Sequence, residues 1–318
     1  MNRKQLLNLA KIVVSVVLLT LIFTNLDIRD FLNVIGRANG WWLLMALGLM
    51  MVGVVLRAWR WQILLAAIGV PVQLIELTAI YFIGFLFNNL LPSGLGGDAI
   101  RMLELNRHSE HGSDAVTSVI VDRFLGLSAL QAIALVALVA NWGAVPVGVA
   151  YFTVVIFGGG MVVGFLLINH PLYQWLRANL GLFHRLTEVG FVGKLFKSFQ
   201  SYPLPAVGRA YLVAFLFNFV HVTMHICIGM GLGAQASPVH YAIFVPIASL
   251  VLLIPISFAG LGVREEAFRQ LFGQIGVPSE IAVAMSLLVY LIGNFCTGVI
   301  GGIIYLLRSV RGVVTEHQ

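Results

Sequence analysis

A chain of 318 residues with 59% hydrophobic and only 10% charged positions lacks the polar surface that a water-soluble fold requires. Its mean hydropathy of +0.96 and its recurring apolar runs, each long enough to cross a hydrocarbon core of about 30 Å, place it among multi-spanning membrane proteins and leave no stretch that reads as a soluble catalytic domain. The net charge of +6 then points to cytoplasmic loops and anionic lipid headgroups, not to nucleic acid.

The first apolar run follows Arg3, Lys4 and Lys11 and ends near Thr24. The stretch after it, from Asn25 to Asp30, is polar and bulky, with no small-x-small cleavage site, so the run is expected to remain as a span that starts in the cytoplasm. The second run, 41–56, closes with Arg57, Trp59, Arg60 and Trp61. Interleaved Arg and Trp mark a helix end at the headgroups, so Arg57 and Arg60 read as topological anchors, although snorkelling arginines can also guide lipid headgroups. Further spans are expected at 116–139, 145–168, 211–232 and 281–307. Between them, 170–209 carries Arg177, Arg185, Lys194, Lys197 and Arg209 against the single acid Glu188. That segment reads as amphipathic and lying on the cytoplasmic membrane surface. Arg308 and Arg311 place the C-terminus inside as well. Cys227 and Cys296 lie within apolar runs and read as thiols packed between helices.

Two apolar runs, 74–91 and 241–256, decide the topology. Full crossings give eight spans and put the basic segment outside; re-entrant hairpins give six spans and put it inside. The distribution of Lys and Arg favours an all-α membrane protein of about six full spans plus two re-entrant helical hairpins, with eight full spans as the alternative. Both runs end in a Pro-Ser-Gly cluster, and interrupted backbone is tolerated in a membrane only where protein or a polar cavity surrounds it. The interruptions resemble each other. Pro92-Ser93-Gly94-Leu95-Gly96-Gly97-Asp98 is matched by Pro255-Ile256-Ser257-Phe258-Ala259-Gly260-Leu261-Gly262, and the two Gly-Leu-Gly triplets start 166 positions apart, at Gly94 and Gly260. With three crossings per half, residues 1–141 and 142–318 read as an inverted repeat, the plan in which interrupted helices flank a transporter's substrate site. A chance match of common membrane-helix residues is the plain alternative.

Polar residues expected inside the membrane gather at these breaks. The first offers Asn88, Asn89, Ser93, Gly96, Gly97, Asp98 and Arg101; the second offers Ser257, Gly260, Gly262, Arg264 and Glu265. A helix restarts after each Gly-Leu-Gly, and its free N–H groups and dipole favour an anion, to which arginines add bidentate contacts. The structural reading is that Asp98 or Glu265 caps its helix while the arginines neutralise acids, with Asp122 set against Arg123. Asp122-Arg123 reads equally as an interfacial pair or as part of the site. His221 and His225, four apart, lack further ligands for zinc and read as packing or cavity-lining groups. Asn218 and Asn294 are expected to bridge helices, and the Gly158-Gly159-Gly160, Gly298 and Gly301-Gly302 clusters to allow close helix approach.

Trp59-Arg60-Trp61 before Leu64-Leu65, Phe87-Asn88-Asn89-Leu90-Leu91-Pro92-Ser93 leading into Gly96-Gly97-Asp98 and Arg101, Asp122-Arg123-Phe124-Leu125-Gly126-Leu127 and Gly260-Leu261-Gly262-Val263-Arg264-Glu265 together resemble the lysylphosphatidylglycerol synthase transmembrane region family. That family includes the flippase half of bacterial multiple-peptide-resistance proteins, which moves aminoacylated phosphatidylglycerol between leaflets. The chain ends 11 residues after Leu307, so the resemblance implies the lipid-moving part without the soluble aminoacyl-transferase. It further implies a bacterial or archaeal inner (plasma) membrane as the location. The expected function is a lipid flippase or scramblase for an anionic, aminoacylated or polyprenyl-phosphate lipid, with the phosphate between Arg101 and Arg264. No ATP-binding loop or cofactor motif is present, so movement is expected to be passive or coupled to a proton or other ion, with Asp98, Glu265 or Glu266 as proton sites. Membrane lipids are the expected partners, and the glycine-rich spans are compatible with a homodimer. An intramembrane enzyme acting on a lipid headgroup and a non-transporting partner of such an enzyme remain as other readings.

Overall fold

In the computed structural model, residues 3–24, 26–91, 96–105, 112–181, 185, 198–199, 201–253 and 256–315 are described, and every regular element among them is helical. Five helices are long and apolar enough to cross a membrane: Gly40–Ala67, Val116–Ala140, Val147–Leu166, Leu204–Gly231 and Ser279–Ser309. Lys11–Thr24 and Ile28–Gly36, two helices meeting at 91°, bring the number to six if the bent pair is one span. The chain is thus a multi-pass, all-helical membrane protein, with spans where the apolar runs predict them.

In chain order, α1 is Arg3–Thr24 and α2 is Ile28–Gly36. The polar stretch after the first run is therefore a helix as well as a turn. Asp27 starts it, accepting hydrogen bonds from the backbone N–H groups of Arg29 and Asp30 at 2.8 and 3.2 Å. Asn39 caps α3, Gly40–Ala67, by accepting from Trp41 N at 3.0 Å. Next come α4 (Leu74–Leu90), α5 (Gly96–Leu105) and α6 (Gly112–Ala140). α7 (Val147–Thr153) and α8 (Gly159–Ile168) are joined through the π turn Val154–Gly158, and α9 is His170–Asn179. Of the basic segment 170–209, α9 and residues 204–209, the start of the next helix, belong to regular helices. α9 buries Tyr173 and exposes Trp175; Lys194, Lys197 and Glu188 lie outside the described residues. α10 is Leu204–Gly231, α11 Pro238–Val251, α12 Val263–Gly273 and α13 Ser279–Tyr290, which runs through the π turn Leu291–Cys296 into α14, Thr297–Thr315.

The centre of the bundle is the long contact of α3 with α10. They run antiparallel: Asn39 N at the start of α3 donates to Gly231 O at the end of α10, 2.8 Å away. α4 lies antiparallel to α14, and Arg308 near the end of α14 pairs with Glu76 near the start of α4 at 2.8 Å. The small faces of Gly298 and Gly301 let α14 approach Asn89 and the Phe82 carbonyl on α4.

α4 and α5 fold back on each other, as do α11 and α12. In the first pair the backbones nearly touch: a Cβ on Gly97 would lie 2.7 Å from Gly84 O and from the Asn88 side-chain nitrogen. In the second, the chain turns through the left-handed region at Ala259, Gly260 and Gly262, and a Cβ on Gly262 would lie 2.6 Å from Leu18 Cβ of α1. α4 has 17 residues and α11 has 14. At about 1.5 Å per residue they reach roughly 26 and 21 Å, less than a hydrocarbon core of about 30 Å.

Candidate functional site

Asp122, 1% exposed on α6, is the hub of a buried ionic cluster. Its Oδ1 accepts from Arg60 Nε at 2.6 Å, and its Oδ2 from Arg101 Nη2 at 2.9 Å and the Tyr81 hydroxyl at 2.8 Å. One carboxylate thereby joins α3, α4, α5 and α6. A buried carboxylate is tolerable only when its lone pairs are met in this way. The Arg101 guanidinium lies 4.2 Å from the ring centroids of both Trp61 and Tyr81, in the corner between two rings set nearly at right angles, contacts that suit its planar, weakly hydrated cation. Arg60 reaches across α6 only because position 126 is glycine: a Cβ there would sit 2.8 Å from Arg60 Nη1.

The cluster continues towards the first break. Arg101 Nη1 lies 3.4 Å from Asp98 Oδ1, and the second Asp98 oxygen pairs with Arg123 Nε. Asp122 and Arg123 are therefore not each other's partners: adjacent residues on a helix point about 100° apart, and each meets an opposite charge on α5. Arg60, read from its Trp neighbours as an anchor at the headgroups, instead turns inward. Two N–H groups of the cluster, Arg60 Nη1 and Arg101 Nε, are buried with no partner among the described residues.

Beside the cluster is a partly open cavity of about 260 Å³, lined by residues of α3, α4, α5, α6, α10 and α11. The polar residues singled out at the first break converge on it: Asn88, Gly97, Asp98 and Arg101, together with Asp122 and Arg123. Arg57 and Arg60 complete its charged lining, which holds four arginines and two aspartates. Arg57 packs against aromatic rings, 4.3 Å from the Phe217 centroid and 5.6 Å from that of Phe85, and among the described residues it has no carboxylate partner. Phe85, Leu127, Leu130, Phe217 and Leu253 supply an apolar wall. Arg60 is seven residues from the Ala67 end of α3, about 10 Å along the axis, so the cavity lies towards that end of the helix.

His221 also lines the cavity, its ring stacked on Phe217 and 4.6 Å from that of His225. His225 Nδ1 is 2.8 Å from the His221 carbonyl, which fixes it as the protonated nitrogen. Asn218 bridges α10 to α6 by donating to Gly126 O at 2.8 Å. The bridge at Asn294 uses its backbone: its carbonyl, within the π turn, accepts from Asn89 Nδ2 at 2.8 Å as well as from Thr297 Oγ1 at 3.0 Å.

The other residues singled out lie elsewhere. Ser93 is outside the described residues. Gly96 packs on α4, where a Cβ would meet Phe87 O at 2.5 Å. Ser257 is buried near the second break, beside Gly260 and Gly262. Arg264 and Glu265 do not line the cavity; they form a closed tie between α12 and α13. Glu265 Oε1 accepts from Arg264 Nη2 at 3.2 Å and Ser286 Oγ at 2.9 Å, and its Oε2 accepts from Gly262 N at 2.6 Å. Glu265 is thus the group that caps α12. The two breaks still meet at one side chain: the Tyr290 hydroxyl donates to Asn89 Oδ1 at 3.2 Å while its ring lies 4.7 Å from the Arg264 guanidinium.

A UPF0104 membrane protein of Pyrococcus horikoshii is similar to this chain, 21% identical in an alignment of 323 positions, gaps included, that covers 93% of this chain and 95% of that protein. The model of the family described as the lysylphosphatidylglycerol synthase TM region matches residues 8–301, and the chain belongs to that family.

Proposed function

We propose that this member of the lysylphosphatidylglycerol synthase transmembrane region family moves a phosphate-bearing lipid between the leaflets, holding the headgroup in the arginine-lined cavity while the tails stay in lipid. The observation that carries the reading is the cavity's composition: four arginines and two aspartates, together with phenylalanine and leucine. Buried cations are costly unless they meet an anion, and Arg matches phosphate oxygens in pairs. The apolar wall suits the start of an acyl or isoprenoid chain.

The pairing of helices supports an inverted repeat. Exchanging the halves maps α3 onto α10, α4 onto α11, α5 onto α12 and α6 onto α13 with α14. The contact of α4 with α14 then has its counterpart in α11 with α6, and α5 with α6 in α12 with α13. The short reach of α4 and α11 supports re-entrant hairpins. Transporters of this plan place the substrate where the repeats meet.

The test is transbilayer movement in proteoliposomes, followed with tail-labelled anionic lipids and a membrane-impermeant reductant. Wild-type protein is expected to expose the inner-leaflet label, and Arg101→Ala, which empties the corner between Trp61 and Tyr81, to slow that exposure about tenfold or more, the equivalent of ~1.4 kcal/mol. Equal rates for wild type, Arg101→Ala and protein-free vesicles would sink the reading. Chemical alteration of the supplied lipid would favour an enzyme instead.

A further inference from the structure

The charged residues that line the cavity do not balance. Arg57, Arg60, Arg101 and Arg123 face Asp98 and Asp122, leaving an excess of two positive charges. The two carboxylates are already divided: Asp122 between Arg60 and Arg101, Asp98 between Arg101 and Arg123. Arg57 is left with the faces of Phe85 and Phe217. Arg60 Nη1 and Arg101 Nε have donors to spare. Arg60, Arg101 and Asp122 are buried, while Arg57 and Arg123 are half-buried, so the excess of two charges is only partly screened and favours a ligand of opposite charge.

Resting on the transport reading above, we propose that the cavity takes a phosphomonoester headgroup as its dianion, as in phosphatidate or a polyisoprenyl monophosphate, in preference to a phosphodiester headgroup. A phosphodiester carries one negative charge and leaves one cation uncompensated. A phosphomonoester approaches two above its second ionisation, near pH ~6, and offers three free oxygens to the arginine fork instead of two. Phe85, Leu127, Leu130, Phe217 and Leu253 on the same cavity give the hydrocarbon next to the phosphate a place that inorganic phosphate cannot use. Arg57 is the residue that sets the preference, because its charge is the one no carboxylate of the lining shares.

The experiment is thermal unfolding of the full chain in detergent at pH 7.5, titrated with short-chain phosphatidate, short-chain phosphatidylglycerol and inorganic phosphate. Phosphatidate is expected to stabilise at about tenfold lower concentration than phosphatidylglycerol, a difference of ~1.4 kcal/mol in binding. Arg57→Gln is expected to erase that difference and Arg57→Lys to keep it. Repeating the titration at pH 5, where the monoester holds about one charge, is expected to bring the two lipids together. Equal midpoints for the two lipids at pH 7.5, or an undiminished preference in Arg57→Gln, would overturn the proposal. Inorganic phosphate acting as strongly as phosphatidate would overturn the lipid as its source. Selective phosphatidate binding by a protein that moves no lipid would support this inference and count against transport alone.

Discussion

Asp122 ties four helices together at this site, and its surroundings show how a membrane protein keeps charge indoors. Its carboxylate has three donors from three other helices. Replacing it by Asn leaves the buried Arg60 and Arg101 without their shared counter-ion, and breaking a buried pair of this kind costs about 3–5 kcal/mol. Asp122→Asn is therefore expected to lower the unfolding temperature sharply, whereas Arg57→Gln, which breaks no ion pair, is expected to leave it within a few degrees. Differential scanning fluorimetry of the two variants checks both. Asp98 and Arg101 were legible in the sequence as costly residues at one break, and Asp122-Arg123 as either an interfacial pair or part of the site. Their partners were not. Asp122 and Arg60 are 62 positions apart, and an arginine flanked by Trp59 and Trp61 carries the same signature whether it stays at the headgroups or turns inward. Tyr81 gave no signal at all, being one aromatic residue in an apolar run.

At the scale of elements, the two breaks were visible as Pro, Ser and Gly in apolar runs, and the glycines have physical reasons. Gly97 lies against the Gly84 carbonyl, and Gly262 combines a φ of 84° with a contact on Leu18. Alanine at Gly97 must push α5 away from α4, and alanine at Gly262 must be strained as well as crowded. Each is expected to destabilise by roughly 1–3 kcal/mol. Gly97→Ala is further expected to impair lipid movement, because it shifts Asp98 and Arg101, while Gly48→Ala, with nothing within 4 Å, is expected to be silent. Melting curves and the vesicle assay on these three variants separate the outcomes. The sequence offered Glu265 as a helix cap and an arginine as its counter-ion; what it did not reveal is the partner that completes the tie. Glu265 finds Gly262 N, Arg264 and Ser286, and Ser286 lies on α13, a helix with no sequence mark linking it to the motif.

For the whole molecule, composition and the spacing of apolar runs were enough to read the class and the spans. Sidedness is argued from charge, and it has a direct test. With Cys227 and Cys296 replaced by alanine, a single cysteine at Trp142 is expected to react with an impermeant maleimide from outside the cell, and one at Arg177 only after the membrane is opened. Eight full crossings predict the reverse. The ion pair of Arg308 with Glu76 already ties the end of the last span to the start of α4, so those two points share a face. The buried cluster also bears on how the chain is made. α3 emerges with Arg57 and Arg60 when the residues that carry Asp122 have yet to be synthesised. An unpaired arginine at the centre of a newly inserted helix costs about 2.5–3.5 kcal/mol, so nascent α3 is expected to rest with both guanidiniums snorkelled to the water. The arrival of α6, which carries Asp122, is then expected to draw Arg60 inward. Assembly of this protein is then a two-step affair in which a helix is first placed and later repositioned, and a ribosome stalled before residue 122 would hold α3 at a different depth from the one it finally occupies.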